Sequence, residues 1–222
     1  MNSSLFDDSQ KYFEVYTKSN ELNNEIKILY FEKFRSIFES LETYRYLHCY
    51  IIYIEALLEL DEFVDVDIKL DNAILQALEL KENQQFSTVY PILLFHKAQV
   101  KFLMGQNQTA IKIIEELLKL KKPDNDTKDL IFHIIANPPP AYLSKFHNIS
   151  VVLLLSVALL LGFQLFELQD NHKLLKNILH NTIGITFILG LIFAFAADLF
   201  HYSICKIRTR LILKNHELKT IK

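Results

Sequence analysis

Tryptophan is absent from this chain, and glycine, proline and cysteine are scarce, with four, five and two residues among 222. So few glycines leave no glycine-rich loop to cradle a phosphate. Three of the five prolines stand together at 138–140, so the rest of the chain is almost free of helix breakers. Leu, Ile, Lys, Glu and Asn dominate, and this composition predicts an all-α protein. Cys49 and Cys205 lie in different regions and form neither a disulfide framework nor a metal-ligand spacing, so both are expected as reduced thiols in a cytoplasmic setting. A His-Glu-x-x-His helix and a nucleophile elbow are also missing. No enzyme activity, cofactor or metal is therefore expected.

Charge is missing from two long stretches. Between Lys145 and Glu167 there is none, and 149–166 is almost wholly apolar. Between Lys176 and Lys206 the only charge is Asp198. Each stretch holds about the 20 residues that a helix needs to cross a hydrocarbon layer of roughly 30 Å. In lipid the backbone must bond to itself, so both are expected as helices. Spans are predicted over 148–168 and 182–205, with an external loop at 169–181 and a basic cytoplasmic tail at 206–222.

The remaining charge is unevenly spread. Residues 1–150 carry 16 Lys and Arg against 22 Asp and Glu, a net −6. The tail carries Lys206, Arg208, Arg210, Lys214, Lys219 and Lys222 against Glu217, a net +5. Cytoplasmic flanks collect Lys and Arg. In the loop, Lys173 and Lys176 are balanced by Glu167 and Asp170. Both termini are thus expected in the cytoplasm, with the loop between the spans outside. Residues 1–8 have neither the basic region nor the apolar core of a signal peptide, so the N-terminal domain is expected to stay cytoplasmic.

Helical periodicity runs through that domain, 1–136. Helices are predicted over 5–19, 21–39, 41–60, 72–80, 87–104, 109–120 and 127–136. The stretch 41–60 is apolar all round, as a central buried helix is. An acidic connection is predicted over 61–71, and Asp126 is the expected N-cap of the last helix. Asn137 and Pro138–Pro140 end the domain. They open a spacer, 137–147, expected to be stiff and extended.

Within 91–124, Ala98, Gly105, Ala110, Leu117 and Pro123 fall near the small-residue and stop positions of a tetratricopeptide repeat. The stretch 110–120 resembles the second helix of such a repeat. The first helix departs from the pattern, because Lys97 and Lys101 stand where Leu and an aromatic are usual. An ordinary helical hairpin is the alternative. The run Asp65-Val-Asp67-Ile-Lys69-Leu-Asp71 starts like a calcium loop, but Leu70 and Gln76 occupy the positions that need Gly and Glu. His48 and Cys49 are neighbours on one helix and face different ways, so packing is expected rather than a shared metal. The domain is net acidic, and direct nucleic-acid binding is not expected.

In the second span Thr186, Gly190, Ala194 and Asp198 recur every four residues and share a face. Ala158 and Gly162 form a similar pair in the first. Small faces let helices approach closely in lipid. Counted from the cytoplasmic side, the two faces stand at equal depth, so they are expected to meet in a hairpin, between copies, or both. Asp198 has His201 one turn away as a candidate partner. An intramembrane carboxylate either makes a polar contact that holds an oligomer or lines an aqueous path. Alternatively it sits at headgroup level, neutralised by Lys206 or Arg208.

Two spans with a short loop are too little for a carrier, and a pore would need a homo-oligomer. Three readings stay open: a membrane-damaging effector, a membrane-anchored tetratricopeptide-like adaptor, and a small subunit of a larger membrane complex. A helical sensor joined to two spans at this length resembles the membrane effectors of bacterial anti-phage systems. It is most similar to the two-span effector that accompanies some retron reverse transcriptases. That resemblance implies a toxin used in antiviral defence. It also implies a protein partner on the helical domain, namely a reverse transcriptase with its RNA–DNA product that holds the toxin silent until infection.

Overall fold

A computed structural model describes residues 3–18, 22–81, 84–167 and 173–220. The described residues form ten helices and no strand, so the protein is all-α. The chain divides between Ile134 and Ile135 into two units.

The first unit comprises α1 (Ser3–Thr17), α2 (Asn24–Lys33), α3 (Arg35–Glu39), α4 (Thr43–Leu58), α5 (Phe63–Glu79), α6 (Phe86–Leu103), α7 (Asn107–Leu120) and most of α8 (Asn125–Ala136). α4 is its centre, with ten of its residues buried around the helix, among them Leu47, Ile54 and Leu57. Against it lies an aromatic stack. The Phe31 ring packs on Tyr53 at 4.5 Å and on Phe38 at 5.2 Å, with Tyr16 5.3 Å from Phe38. His48 is exposed while Cys49 is fully buried, so the two face opposite ways. Burial pushes the Cys49 thiol up to about 12, which keeps it an inert apolar filler.

Three local expectations are corrected. The segment expected as one helix over 21–39 breaks at Phe34, which caps α2 and opens α3. The acidic stretch 61–71 is not a connection. Most of it is the first half of α5, whose Val66, Leu70, Ala73 and Ala77 form a buried stripe at helical spacing. The N-cap of α8 is Asp124 rather than Asp126. Its Oδ1 accepts from the Thr127 backbone N–H at 2.9 Å and the Thr127 hydroxyl at 2.6 Å. Hydrogen bonds from Lys121 and Thr127 hold its carboxyl well below the usual carboxylate range.

α6 and α7 form a helical hairpin. Gly105 turns it with a φ of +74°, in the left-handed region. The Gly105 N–H donates to Phe102 O and the Gln106 N–H to Lys101 O, the paired bonds of a Schellman stop. Ala98 and Ala110 are fully buried on facing helices. Lys97 and Lys101 do not break the packing but turn toward α5. Lys97 Nζ lies 2.7 Å from Asp67 Oδ1 and 2.8 Å from Asp71 Oδ1, and it donates to Asp67 O at 2.8 Å. Lys101 Nζ lies 2.8 Å from Asp67 Oδ2.

The second unit holds α9 (Ala141–Glu167) and α10 (Lys173–Thr220), packed against each other. Its apolar stretches, Leu143–Gly162 and Ile178–Lys214, are long and apolar enough to cross a membrane. The extended spacer expected over 137–147 is corrected, because α9 begins at Ala141, directly after the prolines. The Asn137–Pro138 peptide bond is cis. Part of the expected external loop, 169–172, and the last residue of the expected first span, 168, lie outside the described residues, and 173–181 is already helix. The basic tail continues α10 as far as Thr220.

Breaking a buried ion pair on one side leaves the other charge stranded, which costs about 3 kcal/mol or more. Lys97→Ala leaves Asp67 with Lys101 and the exposed Asp71 with water, so it should destabilise the full-length protein in detergent by less than that, about 1–2 kcal/mol at neutral pH, measured by chemical unfolding. Burial opposes the Asp67 charge, but the ammonium groups of Lys101 and Lys97 override it and hold the carboxyl below its ordinary 3.8. A lowered folded-state pKa gives stability that is complete above the ordinary value and is lost as the pH falls through the folded one. Unfolding midpoints should accordingly drop as the pH falls below about 4, and Asp67→Asn should flatten that slope.

Candidate functional site

The apolar hairpin is the candidate site, and its seam shows how it is built. On α9 the buried residues Leu143, Ser150 and Val157 recur every seven positions. On α10 Ile183, Gly190 and Ala197 do the same. Seven residues are nearly two helical turns, so each set forms one stripe along its helix.

At Gly190 the two helices come close. A Cβ added there would stand 3.1 Å from Leu154 Cδ2 and 3.5 Å from Leu153 Cβ. The missing side chain opens the Gly190 carbonyl to α9, and the buried Ser150 hydroxyl donates to it at 2.9 Å. Nearby, Phe146 and Phe193 stack at 5.8 Å. Other hydroxyls turn onto their own helix. Thr182 Oγ1 donates to Ile178 O and Thr186 Oγ1 to Thr182 O, while Ser156 Oγ donates to Leu153 O. Such bonds satisfy a polar side chain where no water reaches.

The expected pairing of small faces differs from this arrangement. Gly190 does meet α9, but opposite Ser150 and Leu154 rather than opposite Gly162. That is a shift of about two to three helical turns. Ala158 is exposed, and nothing lies within 4 Å of a Cβ placed on Gly162. Thr186 and Ala194 are half-buried beside the seam. The stripe with four-residue spacing belongs to a close crossing of small residues, whereas α9 and α10 interlock large and small residues at seven-residue spacing. Ser150, Leu154, Val157, Ile183 and Ala197 were missed in the sequence, and seven-residue periodicity was the available signal for all of them but Leu154.

The charge in the second span also finds a different partner. Asp198 Oδ1 lies 3.2 Å from Nε2 of His147, in the second turn of α9, and both side chains are at least half exposed. His201, the expected partner, instead approaches Ala136 O at 3.4 Å and the buried Cys205 Sγ at 3.6 Å. Lys206, Arg208, Arg210 and Lys214 are exposed on the last described turns, with Lys206 Nζ 5.7 Å from the Tyr202 ring centre. No cluster of metal-ligating side chains occurs among the described residues. Chemically the hairpin offers an apolar surface, one half-exposed carboxylate–imidazole pair and a cationic end.

No protein family, curated protein or solved structure matches this chain.

The seam's register can be tested by oxidation. A disulfide needs Cβ atoms about 3.5–4.5 Å apart. In a background of Cys49→Ser and Cys205→Ser, Leu153→Cys with Gly190→Cys should form an intramolecular bridge in membranes, visible as a redox-dependent gel shift. Gly162→Cys with Gly190→Cys should stay reduced within one chain. The reverse result would restore the register in which the small faces meet.

Proposed function

We propose that the chain is a membrane-embedded effector that acts on the bacterial inner membrane as an assembly of several copies. The observation that carries this reading is the small pair Ala158 and Gly162, which stands off the seam with open space around Gly162. Among the described residues, nothing stands where a Gly162 side chain would, and Ala158 is exposed. A mere tether needs only apolar length, whereas a four-residue pair of small residues suits close contact between helices of different copies. Cytoplasmic flanks collect cations, so the basic end of α10 favours a hairpin with both termini in the cytoplasm. The helical unit then takes a protein partner that governs the assembly. In the anti-phage setting that the architecture resembles, the partner is a reverse transcriptase with its RNA–DNA product. The chain makes no nucleic-acid contact of its own.

Dye entry tests this reading. Bacteria induced to make the full-length protein should take up propidium iodide and stop growing. Ala158→Leu with Gly162→Leu should abolish both effects while membrane fractions still contain the protein. Growth and dye exclusion with full-length protein inserted would favour the membrane-anchored adaptor instead. Dye entry unaffected by the double substitution would remove the contact between copies from the mechanism.

A further inference from the structure

α5 carries two apolar stripes. One is the buried set that begins with Val66 and Leu70. At 100° per residue, the other lies on the opposite side of the helix. Val64, Ile68 and Leu75 stand at i, i+4 and i+11 and are 66 %, 59 % and 63 % exposed. A surface helix ordinarily shows one apolar and one polar side. A second apolar stripe on the outside marks a contact surface. Beside Leu75 the surface sinks into a cavity of about 550 Å³, walled by Tyr46, Tyr50, Asn72 and Gln76.

The rim of this surface is acidic. Asp61 and Glu62 at one end of α5 and Glu79 at the other are exposed, and none makes an ion pair among the described residues. Of the cations alongside, two are already engaged and Lys81, just past α5, is exposed. Lys69 lies 2.7 Å from Asp65, and Arg35 lies 2.8 Å from Glu39. Charge decides between occupants. Two copies meeting through α5 would set one acidic rim against another, and anionic headgroups would be repelled in the same way. A helix with an apolar stripe flanked by lysine or arginine matches both the stripe and the rim.

We propose that the outer face of α5, with the adjoining cavity, docks a basic amphipathic helix of a protein partner. The proposal rests on the reading of the helical unit as the partner-binding unit, and it names that partner's chemistry. Val64, Ile68 and Leu75 take its apolar side, the cavity receives one anchoring side chain, and the unpaired carboxylates hold its cations.

The test uses full-length protein in phosphatidylcholine nanodiscs, whose neutral surface gives a cationic probe no attraction. The probe is a fluorescein-labelled synthetic helix of about 15 residues, with leucine on one side and lysine on the other. Its control carries glutamate in place of lysine. Anisotropy should show saturable binding of the lysine peptide and binding of the glutamate peptide weaker by about ten-fold or more. Ile68→Lys with Leu75→Lys should weaken the lysine peptide by about ten-fold or more. Leu29→Lys, at another exposed apolar position on α2, should leave it unchanged. Circular dichroism identical to that of the unsubstituted protein confirms that the variants are folded. Equal binding of the two peptides, no binding of the lysine peptide, or binding indifferent to the double substitution would overturn the proposal. So would a fall in oligomeric state caused by Ile68→Lys with Leu75→Lys, since the face would then belong to a second copy. The readout needs no membrane damage, so its failure is separable from failure of the effector reading.

Discussion

Lys97 carries a positive charge into the packed boundary between α5 and α6, and much of the helical unit follows from how that charge is held. An ammonium group removed from water must find oxygen partners. It finds two carboxylates and one carbonyl, all on α5. Asp67 and Asp71 are one turn apart, so a single cation pins α5 in rotation as well as in position. That rotation sends Val66 and Leu70 into the core and leaves Val64 and Ile68 outside. The aromatic stack on α4 supplies bulk burial, but bulk burial is non-directional. The charged contact supplies the register.

A different physical rule governs the hairpin. Lipid offers apolar groups nothing that a neighbouring helix does not also offer, so close contact and polar bonds decide where helices meet. Gly190 provides both, since its bare backbone admits Leu154 and exposes a carbonyl to Ser150. The hydroxyls of Thr182, Thr186 and Ser156 are satisfied by their own helices and leave the partner choice to Ser150. The pair formed by Asp198 and His147 adds a second bond between the same two helices.

Much of this was legible in the sequence. The two long apolar helices could be read because charge is excluded over a bilayer's thickness, a property of composition alone. α4 could be read because its apolar character runs all round. α5 was hidden because its N-terminal half is dense in aspartate, and local charge outweighed the weaker stripe of Val66, Leu70, Ala73 and Ala77. The two lysines that departed from the repeat pattern and two aspartates of the run that resembled a failed calcium loop, Asp67 and Asp71, are one network. Neither half explains itself, because the contact that joins them spans some thirty positions of sequence. The hairpin's register escaped for a related reason. Counting depth along each helix assumes that small residues face each other, whereas Gly190 is met by a serine and a leucine. His147 lies outside the stretch read as the first span, so no reading confined to the spans could have paired it with Asp198.

α10 has a mechanical consequence. From Leu191 to Thr220 it contains neither glycine nor proline, the residues at which helices usually bend. Such a rod transmits displacement instead of absorbing it. Pivoted at Gly190 by about 10°, its far end would sweep sideways by roughly 8 Å at 1.5 Å of rise per residue. A slight change of packing at Gly190 thus reaches the far end of α10 amplified, and a sideways pull on that end acts on the seam with the advantage of a lever.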